Sequence, residues 1–304
     1  MSTADMQHGP DQRAFYKFAS ADTTLAILRS RSIRYSSPLL FNDPFDVQSG
    51  LHFDFDIATL QDKVLDRIGE LAAAPEAPPV DSEDGWGKVV LAARSYYPNY
   101  GFPRQIWAEM SAPSFRAITA IIEDTQKKYR EHWRSNLMPS IRVFCVTEER
   151  DNLLMWAHYS KDHTGAVFEF WSLPEEDNAL SVARPVIYAD SPPPFFSERE
   201  WIDDFMGLKK LDPRELYRRY AYVKSHHWSY EKEWRVWYPL ANSSEMYDTV
   251  PIRQNELRAI YFGCRASDSF INEATHLLGG AFPSARLYRA SKSEGAYKLS
   301  FHEI

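Results

Sequence analysis

The sequence predicts an α+β fold: a mixed β-sheet core with flanking helices and a helical insertion. Short runs of aromatic and β-branched residues with strand character occur near the start of the chain and again throughout its second half. Between them lies a segment whose apolar residues recur at helical spacing. The chain has 304 residues, 44% of them hydrophobic, which is enough for a sizeable buried core. These observations predict one α+β domain over residues 13–304, preceded by a disordered leader at 1–12.

The predicted strands are short. Phe15–Phe18 and Ile33–Ser36 are the first two, and a helix that Asp22 or Thr23 can cap separates them. The second half of the chain contains the other predicted strands, at residues 141–146, 165–171, 186–188, 230–238, 259–262 and near residue 287.

The helical insertion is predicted at residues 57–137. Its first helix has apolar residues on one face, namely Ile57, Leu60, Val64, Ile68 and Leu71. A second helical stretch covers residues 104–134. We expect an interruption near Pro113, because proline lacks the N–H that a helix interior requires.

Three later helices carry N-terminal capping signals. Asp151 precedes a short helix at residues 152–159. Ser197 and Glu200 have the spacing of a capping box. Asp212 precedes a helix that is expected to run to about residue 224.

Charge and cysteine content limit the possible partners. The net charge of −7 opposes a broad, nonspecific grip on nucleic acid, which requires a basic face. Cys145 and Cys264 are too few for a disulfide framework, so a reducing compartment is expected. The first eleven residues lack the apolar core of a signal peptide, and no window approaches the roughly 18 apolar residues of a membrane span. We therefore expect a cytoplasmic protein without a membrane partner.

The most unusual segment is the predicted strand Tyr230–Tyr238. Because strand side chains alternate between two faces, Glu231, Glu233 and Arg235 are expected on the same face. Glutamate is not favoured in strands, so this charged stripe needs an explanation. Either the face is an exposed edge whose charges neutralise each other, or a glutamate is a catalytic carboxylate tuned by its neighbours.

A second group of candidates lies at residues 154–165. Trp156 and Tyr159 are three residues apart and share a helix face, where they are either core residues or ligand contacts. His158 points elsewhere and is either a structural or a functional residue. His158 and His163 are five residues apart, which is not the i, i+4 spacing of a helical metal pair, so no metal site is expected.

The loop Phe41–Asp46 is dense in turn-forming residues. Asn42 and Asp43 in this loop are either structural or in reach of a ligand. The sequence lacks a glycine-rich phosphate loop, a dinucleotide fingerprint and a G-x-S-x-G elbow. A P-loop or Rossmann nucleotide site is therefore not predicted.

Several of these pieces occur together in one known family. The sequence resembles the bacterial family of domain of unknown function 2971. The matching pieces keep their order along the chain, and they are Phe15–Phe18, Phe41–Asp46, Met155–Tyr159 with His163–Gly165, Lys224 with Trp228 and Glu231–Arg235, and Ile260–Gly263. The family name itself implies no biochemistry.

A more remote resemblance is to ADP-ribosyltransferases, which hold NAD in a split sheet. The opening strand, helix and second strand resemble the beginning of those enzymes, and Glu231-Lys232-Glu233 resembles their Glu-x-Glu pair. The resemblance implies that Glu233 is the catalytic carboxylate beside the nicotinamide ribose, and that Glu231 helps to activate the acceptor. Lys17 or Tyr16 stands where those enzymes place His or Arg.

The same resemblance makes NAD the expected substrate and leaves the macromolecular acceptor open. Tyr35 and Trp156 are candidates for stacking on nicotinamide. With His158 as a third catalytic candidate, the candidate substrate-binding residues are Tyr16, Lys17, Tyr35, Asn42, Asp43, Trp156, Tyr159, His163 and Arg235.

Three functions follow from these candidates. The first is an NAD-consuming enzyme, an ADP-ribosyltransferase or NAD glycohydrolase, with a role in bacterial antiviral defence or toxin action as the resemblance implies. The second is a hydrolase or nuclease in which Glu231, Glu233, His158 and Asp43 serve as acid, base or metal ligands. The third is a binding module without catalysis, whose aromatic surface recognises a ligand or a partner protein.

Overall fold

The computed structural model describes residues 12–74, 83, 85–238 and 245–304. The predicted leader at 1–12 lies outside the described residues except for its last residue. The described strands are β1 (Ala14–Ala19), β2 (Ser32–Ser36), β3 (Arg142–Thr147), β4 (Ala166–Trp171), β5 (Arg184–Pro185), β6 (Ile187–Ala189), β7 (Val223–Ser225), β8 (Glu233–Tyr238), β9 (Tyr247–Pro251), β10 (Leu257–Phe262), β11 (Arg286–Lys292) and β12 (Leu299–Glu303).

The α-helices lie between these strands and in the predicted insertion. They are α1 (Ala21–Ser30), α2 (Leu60–Ala73), α3 (Gly85–Tyr100), α4 (Arg104–His132), α5 (Met138–Ser140), α6 (Leu153–Tyr159), α7 (Glu198–Phe205), α8 (Pro213–Ala221) and α9 (Asp268–Ala281). A 3₁₀ helix spans His226–Glu231, immediately before β8. The mixed α+β class that the sequence predicted is confirmed.

The chain divides into two compact units. The first comprises the described residues up to Gln48 together with 138–190 and 224–304, and the second comprises 49–137 and 191–223. The predicted insertion at 57–137 falls within the second unit, which also includes a later segment that the sequence did not assign to it. That both units fold as a single domain stays a prediction.

The first unit is built on one large sheet. Its strand order is β12-β11-β10-β4-β1-β3-β2-β9, with β8 paired to β3 and β5 paired to β8. The β10–β11 pair is parallel and the other pairs are antiparallel. β1 pairs with β4 from end to end, whereas its pairing with β3 has only the register position Tyr16–Thr147. The sheet is therefore loosely joined at this point.

Apolar side chains on the two faces of this sheet form separate cores. Phe15, Phe168 and Phe262 belong to a core that α1 and α9 complete with residues such as Leu28 and Leu278. The opposite core contains Tyr16, Phe18, Trp156, Val167 and Tyr261. The alternation of Phe15 and Tyr16 between these cores is the two-residue period of a strand buried on both faces.

The second unit is helical around an apolar core. Leu60, Val64, Ile68 and Leu71 of α2 are all buried in that core, as their spacing predicted. α4 runs continuously from Arg104 to His132 with Pro113 inside it, so the predicted interruption is wrong. The capping box of Ser197 and Glu200 is present at the start of α7, as predicted.

Two predicted helix caps lie one or more residues from the observed ones. The α1 cap is Ser20, whose hydroxyl accepts from the N–H of Thr23, rather than Asp22 or Thr23. The α6 cap is Asn152, whose side chain accepts from two N–H groups of the first turn, rather than Asp151. Both errors shift a helix start without changing which residues are helical in the interior.

Gly165 and Gly263 allow two backbone segments of the first unit to approach closely. The N–H of Gly263 donates to the Gly165 carbonyl at 2.9 Å. A Cβ atom at Gly165 would lie 2.1 Å from the Ala19 carbonyl oxygen, and one at Gly263 would lie 2.0 Å from that of His163. Because both obstacles are backbone atoms, a side chain at either position forces the strand ends apart.

We expect Gly165→Ala to destabilise the protein by at least about 2 kcal/mol, since the added methyl group overlaps backbone that cannot turn away. The matched control is Gly279→Ala in α9, where a Cβ meets no atom within 4 Å. That change should be neutral or stabilising by about 0.5 kcal/mol, because alanine is the better helix former. Denaturant unfolding of both variants measures the difference, and a Gly165→Ala protein as stable as the parent would contradict the packing described here.

Candidate functional site

One cleft of the first unit opens where β1 and β3 separate. Its volume is about 440 Å³. It is lined by Tyr16, Lys17, Phe18, Arg34, Ser36, Leu40, Phe41, Asn42, Asp46, Val143, Cys145, Val146, Met155, His158, Tyr159, Lys224, Glu231 and Glu233. Small-molecule sites in proteins have volumes of roughly 300–1,000 Å³, so the cleft has the size of a ligand site.

Four of these residues, Asp46, Lys224, Glu231 and Glu233, are charged and almost fully buried, and we call them the charged floor of the cleft. Lys224 Nζ donates to Glu231 Oε2 at 2.5 Å and to Glu233 Oε2 at 2.9 Å, and it lies 3.5 Å from Asp46 Oδ2. Arg235 lies behind the floor with no exposed surface. Its guanidinium donates to Glu233 at 2.7 Å and to Asp46 Oδ2 at 2.6 Å.

The local backbone explains how Glu231 and Glu233 both reach Lys224. The strand that the sequence predicted at 230–238 begins only at Glu233, and Glu231 ends the preceding 3₁₀ helix. Lys232 between them has a left-handed backbone, with φ of 44°. The predicted strand alternation is therefore wrong for Glu231 but holds for Glu233 and Arg235, whose side chains contact each other.

The exposed-edge interpretation of this charged stripe is also wrong. Glu231 is 3% exposed, Glu233 5% and Arg235 0%. β8 is covered on one side by β3 and on the other by the short β5. Carboxylates this far from water are stable only when cations and hydrogen-bond donors surround them.

The floor drives the pKa values of its carboxyl groups apart. Burial opposes ionisation of Glu233, but Arg235 and Lys224 outweigh it and hold the pKa of Glu233 well below its usual range. Burial raises the pKa of Glu231, and Lys224 offsets only part of that effect. Burial likewise raises the pKa of Asp46 against the attraction of Arg235. Lys224 stays charged, since the nearby carboxylates outweigh its own burial and raise its pKa.

Tyrosine side chains complete the surroundings of the two glutamates. The Tyr159 hydroxyl donates to Glu231 Oε1 at 2.5 Å. The N–H of Glu233 donates to the Tyr188 hydroxyl at 2.8 Å. His158 is exposed at the cleft, and its Nδ1 lies 3.0 Å from the Tyr230 hydroxyl. The Glu231 side chain therefore contacts α6 as well as Lys224, whereas the Glu233 side chain is held by Lys224 and Arg235.

Lys17 spans the gap between the two separated strands. Its Nζ donates to the Cys145 carbonyl oxygen of β3 at 2.9 Å. Burial, with the neighbouring Glu233 carboxylate, raises the pKa of the Cys145 thiol. Cys145 is therefore a neutral thiol in this site rather than a thiolate nucleophile.

The structure brings most of the predicted site residues to the cleft. Tyr16, Lys17, Asn42, His158, Tyr159, Glu231 and Glu233 line it, and Arg235 supports its floor from behind. Tyr16 and Phe18 also belong to the core, so they expose only part of their rings to the cleft.

Of three other predicted ligand contacts, two are core residues and one lies in a turn outside the cleft lining. Tyr35 is buried and stacks on Phe144 at 5.0 Å, in the core on the other face of the sheet. Trp156 is fully buried, its Nε1 donates to the Arg150 carbonyl, and its ring stacks on that of His163. Neither aromatic ring has a face free for nicotinamide. His163 has a left-handed backbone in the turn after α6 and lies outside the cleft lining.

Asp43 is a structural residue of its loop. Its Oδ2 accepts from Trp228 Nε1 at 2.6 Å and its Oδ1 accepts from the N–H of Phe45 at 2.9 Å. Both oxygens are therefore occupied, and Asp43 is not part of the cleft lining. The interpretation of Asp43 as a substrate contact or catalytic group is not consistent with this geometry.

Sequence reasoning missed three residues that matter here: Asp46, Lys224 and Cys145. Asp46 belongs to the loop that drew attention to Asn42 and Asp43, but nothing in a polar loop indicates which side chain turns inward. Lys224 was part of the family resemblance, and its position seven residues before Glu231 was the available signal. Cys145 lies in a predicted strand opposite Arg235 in the register of β3 and β8.

The described residues contain no group of three His, Cys, Asp or Glu side chains arranged to hold a metal ion. Within the same residues, no helix has the length and apolarity needed to cross a bilayer.

We expect Glu233→Gln to destabilise the protein by about 3 kcal/mol at pH 7, because Arg235 and Lys224 then lose a buried counter-charge. Glu231→Gln should cost about 1 kcal/mol, since its charge is already disfavoured by burial and its amide oxygen still accepts from Tyr159. Folding lowers the pKa of Glu233. The contribution of its charge to the free energy of unfolding is therefore complete at pH values above the pKa of glutamate in the unfolded chain, about 4.3, and is lost as the pH falls below that value.

Denaturant unfolding of the parent and both variants between pH 3 and pH 7 measures these differences. The gap between the parent and Glu233→Gln should be constant above about pH 5 and should narrow towards pH 3. Equal costs for the two substitutions, or a gap that widens in acid, would contradict the opposite electrostatic environments of the two glutamates.

Comparison with known proteins adds one match. Searches of curated proteins and of solved structures return no significant match to the chain. The sequence model of one family, described as protein of unknown function (DUF2971), matches residues 155–236. This segment contains most of α6, β4, Lys224 and both glutamates of the charged floor, so the predicted resemblance to the DUF2971 family is confirmed over residues 155–236.

Proposed function

We propose that the chain is an NAD-consuming enzyme that cleaves the bond between nicotinamide and ribose, of the ADP-ribosyltransferase or NAD glycohydrolase type. One observation carries the proposal. Glu231 and Glu233 lie side by side on the floor of a cleft, and their surroundings push their pKa values in opposite directions. Paired titratable groups with divergent pKa values divide acid–base and charge-stabilising roles between them.

Glu233 is suited to stabilise positive charge. Arg235 and Lys224 keep it ionised, and it is held rigidly by hydrogen bonds to both of them. When the C1′–N1 bond of NAD breaks, its electron pair leaves with nicotinamide, and the ribose becomes an oxocarbenium-like cation. A fixed carboxylate beneath that sugar stabilises the cation in the transition state without reorganisation.

Glu231 is suited to serve as the general base. Its raised pKa makes it a stronger base than an ordinary glutamate, and it lines the cleft. A water molecule or an acceptor hydroxyl that attacks C1′ forms the new C–O bond and gives its proton to Glu231, which then releases it to solvent. Nicotinamide departs as a neutral molecule, so the reaction requires no general acid.

The walls of the cleft favour a nucleotide. Tyr16, Phe18 and Met155 provide apolar surface, and Lys17 and Arg34 provide positive charge. Arg34 is exposed and lies over the ring of Tyr247 at 4.1 Å. Apolar surface with a few placed charges is typical of nucleotide and cofactor sites, and guanidinium groups bind phosphate well.

One observation favours a second candidate function, a ligand-binding module without turnover. Both carboxylate oxygens of Glu233 already accept hydrogen bonds from Arg235 and Lys224. A carboxylate so fully engaged serves a structural cluster as well as a catalytic site. Ligand-induced thermal stabilisation without any product would favour this candidate.

The proposal predicts NAD-dependent nicotinamide release that depends on Glu233. Purified parent, Glu233→Gln and Glu169→Gln proteins are incubated with NAD, and nicotinamide is quantified by chromatography, with and without a chelator. Glu169 is the matched control, because it is a buried carboxylate of the same sheet that Tyr261 and Trp171 hold outside the cleft. We expect Glu233→Gln to lower the rate about 100-fold or more and Glu169→Gln to change it by less than about threefold.

The pH dependence identifies the role of Glu231. The rate of the parent should fall as the pH drops through the raised pKa of Glu231, since a protonated carboxyl group cannot accept a proton. Glu231→Gln should lower the rate and remove this acid limb. Equal nicotinamide release from the parent and Glu233→Gln would overturn the assignment of Glu233, and activity abolished by the chelator but indifferent to NAD would favour the hydrolase hypothesis.

A further inference from the structure

Asp46 contributes a carboxylate oxygen to the charged floor that has no partner. Asp46 is 3% exposed and lines the cleft. Its Oδ2 accepts from Arg235 at 2.6 Å, whereas its Oδ1 is buried and accepts no hydrogen bond from any described residue. Buried carboxylate oxygens are rarely left in this state, because each unmade hydrogen bond is costly.

The other carboxylate oxygens of the floor are engaged. Glu231 accepts from Tyr159 and Lys224, one oxygen each. Glu233 accepts from Arg235 and Lys224. Asp46 Oδ1 is thus the acceptor that the described part of the chain leaves for another molecule. Arg235 fixes Oδ2, so the carboxyl group cannot turn to satisfy Oδ1 elsewhere.

The charge of the floor limits what that molecule is. Three carboxyl groups, those of Asp46, Glu231 and Glu233, face the two cations Lys224 and Arg235. The group that approaches Oδ1 must donate a hydrogen bond, and a phosphate at this position would meet an acidic surface. A neutral hydroxyl group fits both requirements. Asp46 and Glu233 both contact Lys224 and Arg235, so the two carboxyl groups are neighbours. A hydroxyl that reaches Asp46 therefore belongs to the sugar that the proposed reaction places over Glu233.

We propose that Asp46 is a specificity-determining residue whose Oδ1 accepts a hydrogen bond from a ribose hydroxyl on the nicotinamide side of the bound dinucleotide. This inference rests on the proposed function. The hydrogen bond orients the ribose above Glu233 and requires a ribosyl rather than a deoxyribosyl ligand. Sites that bond a substrate hydroxyl reject analogues without it, because their own buried acceptor is then left unpaired.

The test compares NAD with its analogues that lack the 2′- or the 3′-hydroxyl on the nicotinamide ribose. In Asp46→Asn the amide oxygen faces the Arg235 donors, which leaves an NH₂ donor where Oδ1 accepted. The matched control is Glu169→Gln, since Glu169 is a buried carboxylate of the same sheet that Tyr261 and Trp171 hold outside the cleft. Asp46→Glu keeps the charge beside Arg235 but displaces the oxygen that has no partner. It is the second test variant and replaces Asp46→Asn if that protein does not fold.

For one of the two analogues, the parent should lose about tenfold to 100-fold in kcat/KM for nicotinamide release relative to NAD. Asp46→Asn and Asp46→Glu should reduce that loss to about threefold or less, and Glu169→Gln should keep it. The comparison of two ligands within each protein removes any general damage to the site, and the comparison of their ratio between the parent and the variants removes the intrinsic reactivity of the ligands. The same loss in the parent and in both Asp46 variants would overturn the inference.

Calorimetric binding of the same ligands separates this inference from the proposed function. If the parent binds NAD without releasing nicotinamide and only the Asp46 variants lose the discrimination in Kd, the role of Asp46 stands and the proposed reaction fails. If nicotinamide is released but discrimination is unchanged in the variants, the reaction stands and the inference fails. If the parent binds none of the dinucleotides, both are overturned.

Discussion

The first unit depends on one electrostatic constraint, the burial of three carboxyl groups together with Lys224 and Arg235. Removing such ions from water costs several kcal/mol each, and only close mutual pairing repays the cost. Arg235 is central because it contacts both Glu233 and Asp46 from the middle of β8. These contacts therefore hold three segments in one arrangement: β8, the loop that contains Asp46, and β7, which contains Lys224.

The loop before Asp46 shows how the chain meets this constraint. Asp43 bonds Trp228 of the 3₁₀ helix and closes a turn onto Phe45. These contacts anchor the loop beside the segment that carries Glu231, so that Asp46 three residues later reaches Arg235. A residue that the sequence suggested as a ligand contact thus has a different role: it positions the carboxyl group that faces the cleft.

The sequence predicted those features of the fold that depend on local chemistry. The strand character of Phe15–Phe18, the apolar face of α2 and the capping box at Ser197 are each set by residues within one or two turns of each other, and all three are present. α9 was missed, although Phe270, Ile271, Ala274 and Leu278 have helical spacing. The two-unit division joins segments far apart in the chain, and no local pattern encodes such long-range packing.

The candidate site was predictable in part for the same reason. Glu233 and Arg235 were correctly placed on one face because both lie within β8. Glu231 was misplaced because strand alternation begins only after Lys232. Lys232 has a left-handed backbone, which lysine rarely adopts and which the sequence therefore does not predict. Asp46 and Lys224 were missed because their roles come from tertiary contacts with residues far along the chain.

The backbone at Lys232 also accounts for the difference between the two glutamates. On a regular strand they would lie about 7 Å apart on one face and would share the same neighbours. The left-handed residue instead leaves Glu231 in the 3₁₀ helix, where Tyr159 is its hydrogen-bond donor, and starts β8 at Glu233, where Arg235 is the nearest cation. Lys224 remains common to both. Two identical side chains thereby acquire different proton affinities, and this division is what an active site with one base and one permanently charged carboxylate requires.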